Sequence, residues 1–181
     1  MRELWSPNHD ERPPGVEVSL VVVHAISLPP GQFGGDAIER LFTNRLDPAA
    51  HPYFESIAHL RVSSHFLVRR DGAVLQFVPI DARAWHAGRS SWAGRAEAND
   101  WSIGIELEGL EGDTFEPAQY EALERLLPAI DRVRGIRHVV GHEHVAPGRK
   151  ADPGPGFDWT RLAARLRWDA ERIPPSKPQS D

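Results

Sequence analysis

The sequence predicts an α/β domain in which a central mixed β-sheet is flanked by α-helices. Short β-branched or apolar runs at 18–23, 64–78, 101–107 and 137–141 alternate with helical patterns at 36–45, 117–134 and 158–168. One pair of runs is joined by Asp71-Gly72, which signals a tight hairpin and so an antiparallel pair within the sheet. The 181 residues suit one domain with a real core, and no internal repeat divides them.

Composition narrows the function classes. The net charge of -5 gives no electrostatic reason to bind nucleic acid. There is no cysteine, so neither a disulfide framework nor a thiolate site is available. The first fifteen residues, MRELWSPNHDERPPG, lack the apolar stretch of a secretory signal. No run of about 18 apolar residues could span a membrane. The expectation is a cytoplasmic monomer with neither nucleic-acid nor membrane partners.

Taken in order, residues 1–17 are polar and Pro-rich and read as an extended arm. Val18 to Val23 (VSLVVV) is too continuous for a one-sided strand; it reads as one buried on both faces, ending at His24. Ser27 to Gly35 is loop. Asp36 to Arg45 sets Ile38, Leu41 and Phe42 on one helical face, with Asp36 as N-cap. Asp47 to Glu55, with Pro48 and Pro52, returns to loop. Ser64 to Arg70 and Ala73 to Val78 are the hairpin strands. Ala82 to Asp100 has little periodicity but holds Trp85, His86, Arg89, Trp92 and Arg95; such loops touch ligands or are pinned by aromatic packing. Trp101 to Leu107 alternates as a central strand. Carried on through Glu108, it would point Glu106 and Glu108 to one side, Glu106 the deeper. Pro117 to Arg134 is a long helix with Tyr120, Leu123, Leu127, Ile130 and Val133 inward, a kink at Pro128 and a stop at Gly135. Arg137 to Gly141 is a short strand running into His142. Asp158 to Trp168 closes the domain as a helix with Leu162 and Leu166 inward. The domain is assigned to 1–172, and 173–181 reads as a disordered tail.

The stretch 141–159 (GHEHVAPGRKADPGPGFDW) carries His142, Lys150 and Asp152 in a Pro- and Gly-rich run that reads as shaped loop. Taken alone it is either part of a metal site or a surface loop with scattered charges. Lys150 and Lys177 are the only lysines among 21 basic residues, and Lys177 lies in the tail. An ammonium is a compact point charge where a guanidinium is a broad fork, so the lone internal lysine marks a place suited to the small cation. His24 and His142 each end a short strand; adjacent strands would deliver two imidazoles to one sheet edge. Glu106, if buried, needs a partner or a task. His144 rivals His142 as a ligand. His86 is either a substrate contact or a loop anchor. His9, His51, His59, His65 and His138 read as solvent-facing or hydrogen-bonded scaffold.

The blocks VVVHAISLPPGQFGG, HPYFESIAHLRVSSHFLVRRDG, AWHAGRSSWAGR, NDWSIGIELEG and GRKADPGPGFDW, in this order, resemble the AmpD-type amidases. These are cytoplasmic zinc N-acetylmuramoyl-L-alanine amidases acting on 1,6-anhydro-muropeptides, in a superfamily with phage amidases and peptidoglycan-recognition proteins. The likeness runs from about Trp5 to Trp159. It implies one Zn²⁺ on His24, His142 and Asp152, with Glu106 activating water and Lys150 stabilising the oxyanion. It implies a substrate groove bordered by Arg61, Trp85, His86 and Arg95, and an anhydro-muropeptide as the bound molecule. One departure stands beside the metal set: the family reads His-Asn-Ile-Ser where this chain has His24-Ala25-Ile26-Ser27, so an amide able to bond substrate is replaced by a methyl group. Two rival readings remain from residues alone: a binding-only peptidoglycan-recognition module, and a secreted amidase trimming intact wall.

Overall fold

The structure, a computed structural model, describes residues 1–169 and 171–173. Its elements are β1 (Arg2–Glu3), β2 (His9–Glu11), β3 (Leu20–Ile26), α1 (Ala37–Phe42), α2 (Pro52–Ile57), β4 (Phe66–Val68) and β5 (Val74–Gln76). They continue with β6 (Ala82–Ala84), β7 (Ser91–Trp92), β8 (Arg95–Ala96), α3 (Ala98–Trp101), β9 (Ser102–Glu108), α4 (Pro117–Arg134), β10 (His138–Gly141), α5 (His142–Val145) and α6 (Trp159–Leu166). Six strands form one sheet in the order β1-β5-β4-β9-β3-β10. Every pairing in it is parallel except β4 with β5, the hairpin turned by Asp71-Gly72. Gly72 takes φ 81° there, a conformation open to glycine. The mixed sheet flanked by helices is the architecture the sequence pattern implies.

Both faces of the sheet are covered, which is why the central strands read as continuous apolar runs. On one face Val21, Val23, Ile103, Ile105 and Leu107 pack with Leu123 and Leu127 of α4 and Trp159 and Leu162 of α6. On the other, Ile38, Leu41 and Phe42 of α1 and Phe54 of α2 cover Leu67, Leu75 and Phe77. Leu20, Val22 and Val140 pack there with Ala87, Ala98 and Trp101. Gly135 ends α4 at φ 64°, and the helix runs unbroken through Pro128.

Several local expectations are corrected. The supposed arm is tied down: β1 adds a parallel edge strand to β5, β2 pairs with β6, and Ser6 and Asn8 are buried between them. β3 continues two residues past His24. Residues 47–55 are not plain loop. Asp47 caps a 3-10 turn at Pro48–Ala50, and the His51 ring accepts from Tyr53 N–H to start α2, with Pro52 in its first turn. Asp36 makes no side-chain cap bond to α1 and instead pairs with Arg40 one turn on. Val133 on α4 is 61% exposed, whereas Ile173, assigned to the tail, lies in the core. The rest of the tail, 174–181, lies outside the described residues.

His65 joins sheet to loop. Its Nδ1 accepts from Gly104 N–H at 3.0 Å, and its Nε2 lies 3.1 Å from Ala82 O and 3.0 Å from Arg12 Nη2. Burial, then the charge of Arg12, holds its pKa down at about 3 against an ordinary 6.5. Between those values the unfolded chain takes up a proton that the folded chain refuses. Stability should therefore fall as pH drops from 6.5 toward 3. Asn keeps an acceptor near the Nδ1 position and does not titrate. Urea unfolding of His65→Asn should thus show a shallower loss between about pH 7 and about pH 4 than the parent chain shows.

Candidate active site

Strand alternation builds the floor of the site. Successive residues of β3 and β9 point to opposite faces. With Val21, Val23, Ile103 and Ile105 turned to the α4 side, His24 and Glu106 fall on the other face, and the two are Cα partners in register. β10 pairs with β3 on the far side, Gly141 opposite Val23, so the next residue, His142, arrives beside His24. It begins the single turn α5, one helical turn in a stretch that reads from sequence as loop throughout. The chain then turns back: Glu143 N–H donates to Asp152 O at 3.0 Å, which fixes Asp152 against the two histidines.

Three ligand atoms converge. His24 Nδ1 and His142 Nδ1 are 2.9 Å apart. Asp152 Oδ2 lies 3.2 Å from His24 Nδ1, and its Oδ1 lies 3.1 Å from His142 Nδ1. All three residues are buried. These separations approach the roughly 3.3 Å edge of a tetrahedron with bonds of about 2.0 Å, the geometry of zinc on nitrogen and oxygen. The site is thus a His-His-carboxylate set able to bind a metal ion. His144 turns away, its Nδ1 accepting from Gly141 N–H at 2.8 Å.

Electrostatics suit such an ion. Burial, then the neighbouring His142, holds the His24 pKa at about 4, so its ring is neutral near pH 7 and offers a lone pair. Burial pushes the Asp152 carboxyl upward, but bonds from His142 and His24 outweigh it and leave the group below its usual range. Glu106 differs. Burial, then the charge of Asp152, raises its pKa well above the ordinary value, with Lys150 opposing. Its Oε2 has no hydrogen-bond partner among the described residues. Strand order alone makes Glu108 the shallower of the pair, and the structure corrects this. Glu108 is the more buried, 3% against 8% exposed, and is fully engaged by Arg69 Nη1 at 2.8 Å, Gly34 N–H and Arg70 N–H.

A cavity of about 830 Å³ opens over this floor. Lys150, Trp85 and His86 line it, as does Ala25. Arg61 and Arg95 are not among its lining residues. The Arg61 guanidinium donates to the carbonyls of His59 and Leu60, and that of Arg95 sits 4.5 Å over the Trp101 ring. His86 points its Nδ1 at His24 Nε2 across 2.9 Å, and burial, then the neighbouring His24, keeps its pKa well below the ordinary value. Sequence reasoning missed Asn99, whose Oδ1 accepts from His86 N–H and Ala87 N–H. It also missed Arg149, which donates to the carbonyls of Ala87 and Arg89. Both act on backbone groups distant along the chain, and no periodicity marks such residues.

Fold and site together define a hydrolase-type centre: a metal-competent triad, a free carboxylate beside it and a cation on the cavity wall. Residues 14–155 match the model of the family Amidase_2, N-acetylmuramoyl-L-alanine amidase. The 1,6-anhydro-N-acetylmuramyl-L-alanine amidase AmpD of Citrobacter freundii is 55% identical over 165 residues, covering 90% of this chain and 88% of that protein. A crystal structure of a Se-Met AmpD derivative superposes with a TM-score of 0.89 at 53% identity, covering 91% of this chain and 93% of that one. The Escherichia coli amidase AmiD, solved with the substrate anhydro-N-acetylmuramic acid-L-Ala-D-gamma-Glu-L-Lys, gives a TM-score of 0.61 at 31% identity, covering 86% and 60% of the two chains. The chain belongs to the N-acetylmuramoyl-L-alanine amidase family, and it is an amide hydrolase.

The unpartnered carboxylate of Glu106 has a thermodynamic consequence. A group whose folded pKa is raised destabilises the fold increasingly as pH climbs above the unfolded pKa. In chelator-treated protein, Glu106→Gln should be more stable than the parent, by a margin that widens from about pH 5 to about pH 8. Denaturant melts at the two pH values check this; a variant less stable at the higher pH would contradict it.

Proposed function

We propose that this chain hydrolyses the amide between the lactyl carbonyl of 1,6-anhydro-N-acetylmuramic acid and the amino group of L-alanine, in muropeptides recovered during cell-wall recycling. The observation that carries this reading is Glu106, buried and unsatisfied, in register with His24 at the floor of the cavity. The likeness to AmpD over most of both chains supports the substrate.

His24, His142 and Asp152 are the groups that would hold the ion, and zinc fits two imidazoles and a carboxylate with an open position. Bound there, Zn²⁺ supplies a Lewis acid for the carbonyl and lowers the pKa of water toward about 7. Glu106 takes the proton of the attacking water as the new C–O bond forms. It returns that proton to the L-alanine nitrogen as the C–N bond breaks. Its raised proton affinity suits a group that must accept a proton and then release it. Lys150, on the cavity wall, meets the charge that develops on the carbonyl oxygen. Trp85, on the cavity wall, is assigned to substrate contact. Arg61 and Arg95, off the cavity wall, are assigned to carboxylates further along the stem peptide. The reading also assigns a monomer working in the cytoplasm, which light scattering and cell fractionation test.

Metal analysis of purified protein, paired with mass spectrometry of a digested anhydro-muropeptide, tests the whole. Zinc-loaded protein that releases no free peptide would favour a binding module instead. Asp152→Ala should lose the metal. Lys150→Ala should keep it yet lose ~100–1,000-fold in turnover. Ala25 lines the cavity where the related amidases are expected to carry an amide. Ala25→Asn should lower KM by roughly fivefold, the worth of about 1 kcal/mol from one added hydrogen bond. A KM measured on soluble anhydro-muropeptide decides.

A further inference from the structure

The outer nitrogens of both imidazoles end on one short segment. His24 Nε2 lies 2.9 Å from His86 Nδ1, and His142 Nε2 lies 3.1 Å from Ala87 O. Nδ1 of each ring faces Asp152, so each ring binds an ion only with its proton on Nε2. His142 then donates to a carbonyl. His24 donates to His86 Nδ1, which leaves the proton of His86 on its own Nε2, 3.2 Å from Ser102 Oγ. The chain of donors is complete and has one direction.

The segment is itself held in place. Asn99 Oδ1 accepts from His86 N–H at 3.2 Å and from Ala87 N–H at 2.8 Å, and Asn99 is buried. The His86 ring is seated on β9 over Gly104, where an added Cβ would come within 2.6 Å of it. Glycine is thus a steric requirement at 104. With both nitrogens committed, the ring has little hydrogen-bonding capacity left to offer a substrate.

We propose that His86 is a positioning residue for the metal centre, and that His86 and Ala87, held by Asn99, form one clamp that sets the tautomer and orientation of both imidazole ligands. This rests on the reading of His24, His142 and Asp152 as ligands. Metal-bound histidines ordinarily donate their outer N–H to a carboxylate, a backbone carbonyl or water. Here one of the two donates to a neutral imidazole, which fixes the ring without adding negative charge beside Asp152 and Glu106.

Zinc affinity by chelator competition, and KM for an anhydro-muropeptide at saturating zinc, test the clamp. His86→Ala should bind zinc about 10–100-fold more weakly with KM unmoved. His86→Asn places Oδ1 near the Nδ1 position and should restore most of the affinity. An alanine variant with parental zinc affinity and a raised KM would make His86 a substrate contact and overturn the proposal. An asparagine variant as weak as alanine would reduce the ring to filler over Gly104 and overturn it equally. If His86→Ala does not fold, Ser102→Ala carries the test: weaker zinc binding with unchanged KM supports the clamp, and unchanged affinity overturns it. Parent protein that binds no divalent ion removes the metal reading and the clamp together. Parent protein that binds zinc beside an unaffected His86→Ala removes the clamp alone.

Discussion

β3 and β9 pair in parallel over seven consecutive residues, and this ladder sets His24 opposite Glu106. Strand faces alternate with period two, so a slip of one residue would turn either side chain to the far face. That slip is forbidden by burial on both sides. Val21 and Ile103 would leave the α4 layer, while His24 and Glu106 would enter an apolar core without partners. The packing that stabilises the sheet is therefore the same constraint that aligns His24 with Glu106. β10 extends the frame by pairing with β3 on its other side, and the triad is complete once Asp152 is brought back by its carbonyl.

The loops over this frame are held by polar contacts rather than by apolar packing alone. Arg149 crosses from the Asp152 loop to the carbonyls of Ala87 and Arg89, so two walls of the cavity are joined directly. The loop after β3 also contributes Ser27, Leu28 and Pro30 to the cavity. It is anchored where Gly34 N–H meets Glu108 and where Arg69 donates to Gly35 O. Floor and walls thus differ in kind. The floor is close-packed sheet that resists displacement, and the walls are loops fixed at a few charged points, where a single substitution changes the fit to substrate.

Legibility in the sequence follows the same division. The β-branched run at 18–23, the Asp71-Gly72 hairpin and the 3.6-residue period of 117–134 are strong local signals, and each element is present. Two short strands that each run into a histidine suggest that His24 and His142 share a sheet edge, but their convergence with Asp152 follows only from the family resemblance, because spacing along the chain says nothing of a parallel crossover until the strand order is known. The helix α2 escapes because its start depends on the His51 ring acting as a cap, an unusual use of histidine beside Pro52. The edge strands β1 and β2 escape because two or three polar residues carry no period; their partners, β5 and β6, decide their structure. Arg61 and Arg95 read as groove residues by their block; Arg61 Nη1 donates to two backbone carbonyls and the Arg95 guanidinium lies over Trp101, both off the cavity wall.

Glu106 and Glu108 show why burial alone does not mark a reactive group. They share one strand and one face, and the inert one is the deeper. Arg69 and two backbone N–H groups converge on Glu108, so the desolvation of its charge is offset by charge-assisted bonds. Glu106 Oε2 meets no donor among the described residues, and Asp152 adds a like charge nearby. Its desolvation is left standing and appears as proton affinity. A carboxylate that holds a proton more tightly is a better base toward water, provided a cation nearby keeps its ionised form accessible; Lys150 acts in that direction. What separates the anchored carboxylate from the one with raised proton affinity is the supply of donors at each position, set by which loop passes over the strand. The glycine-rich loop at Gly34 covers Glu108, and the open cavity lies over Glu106.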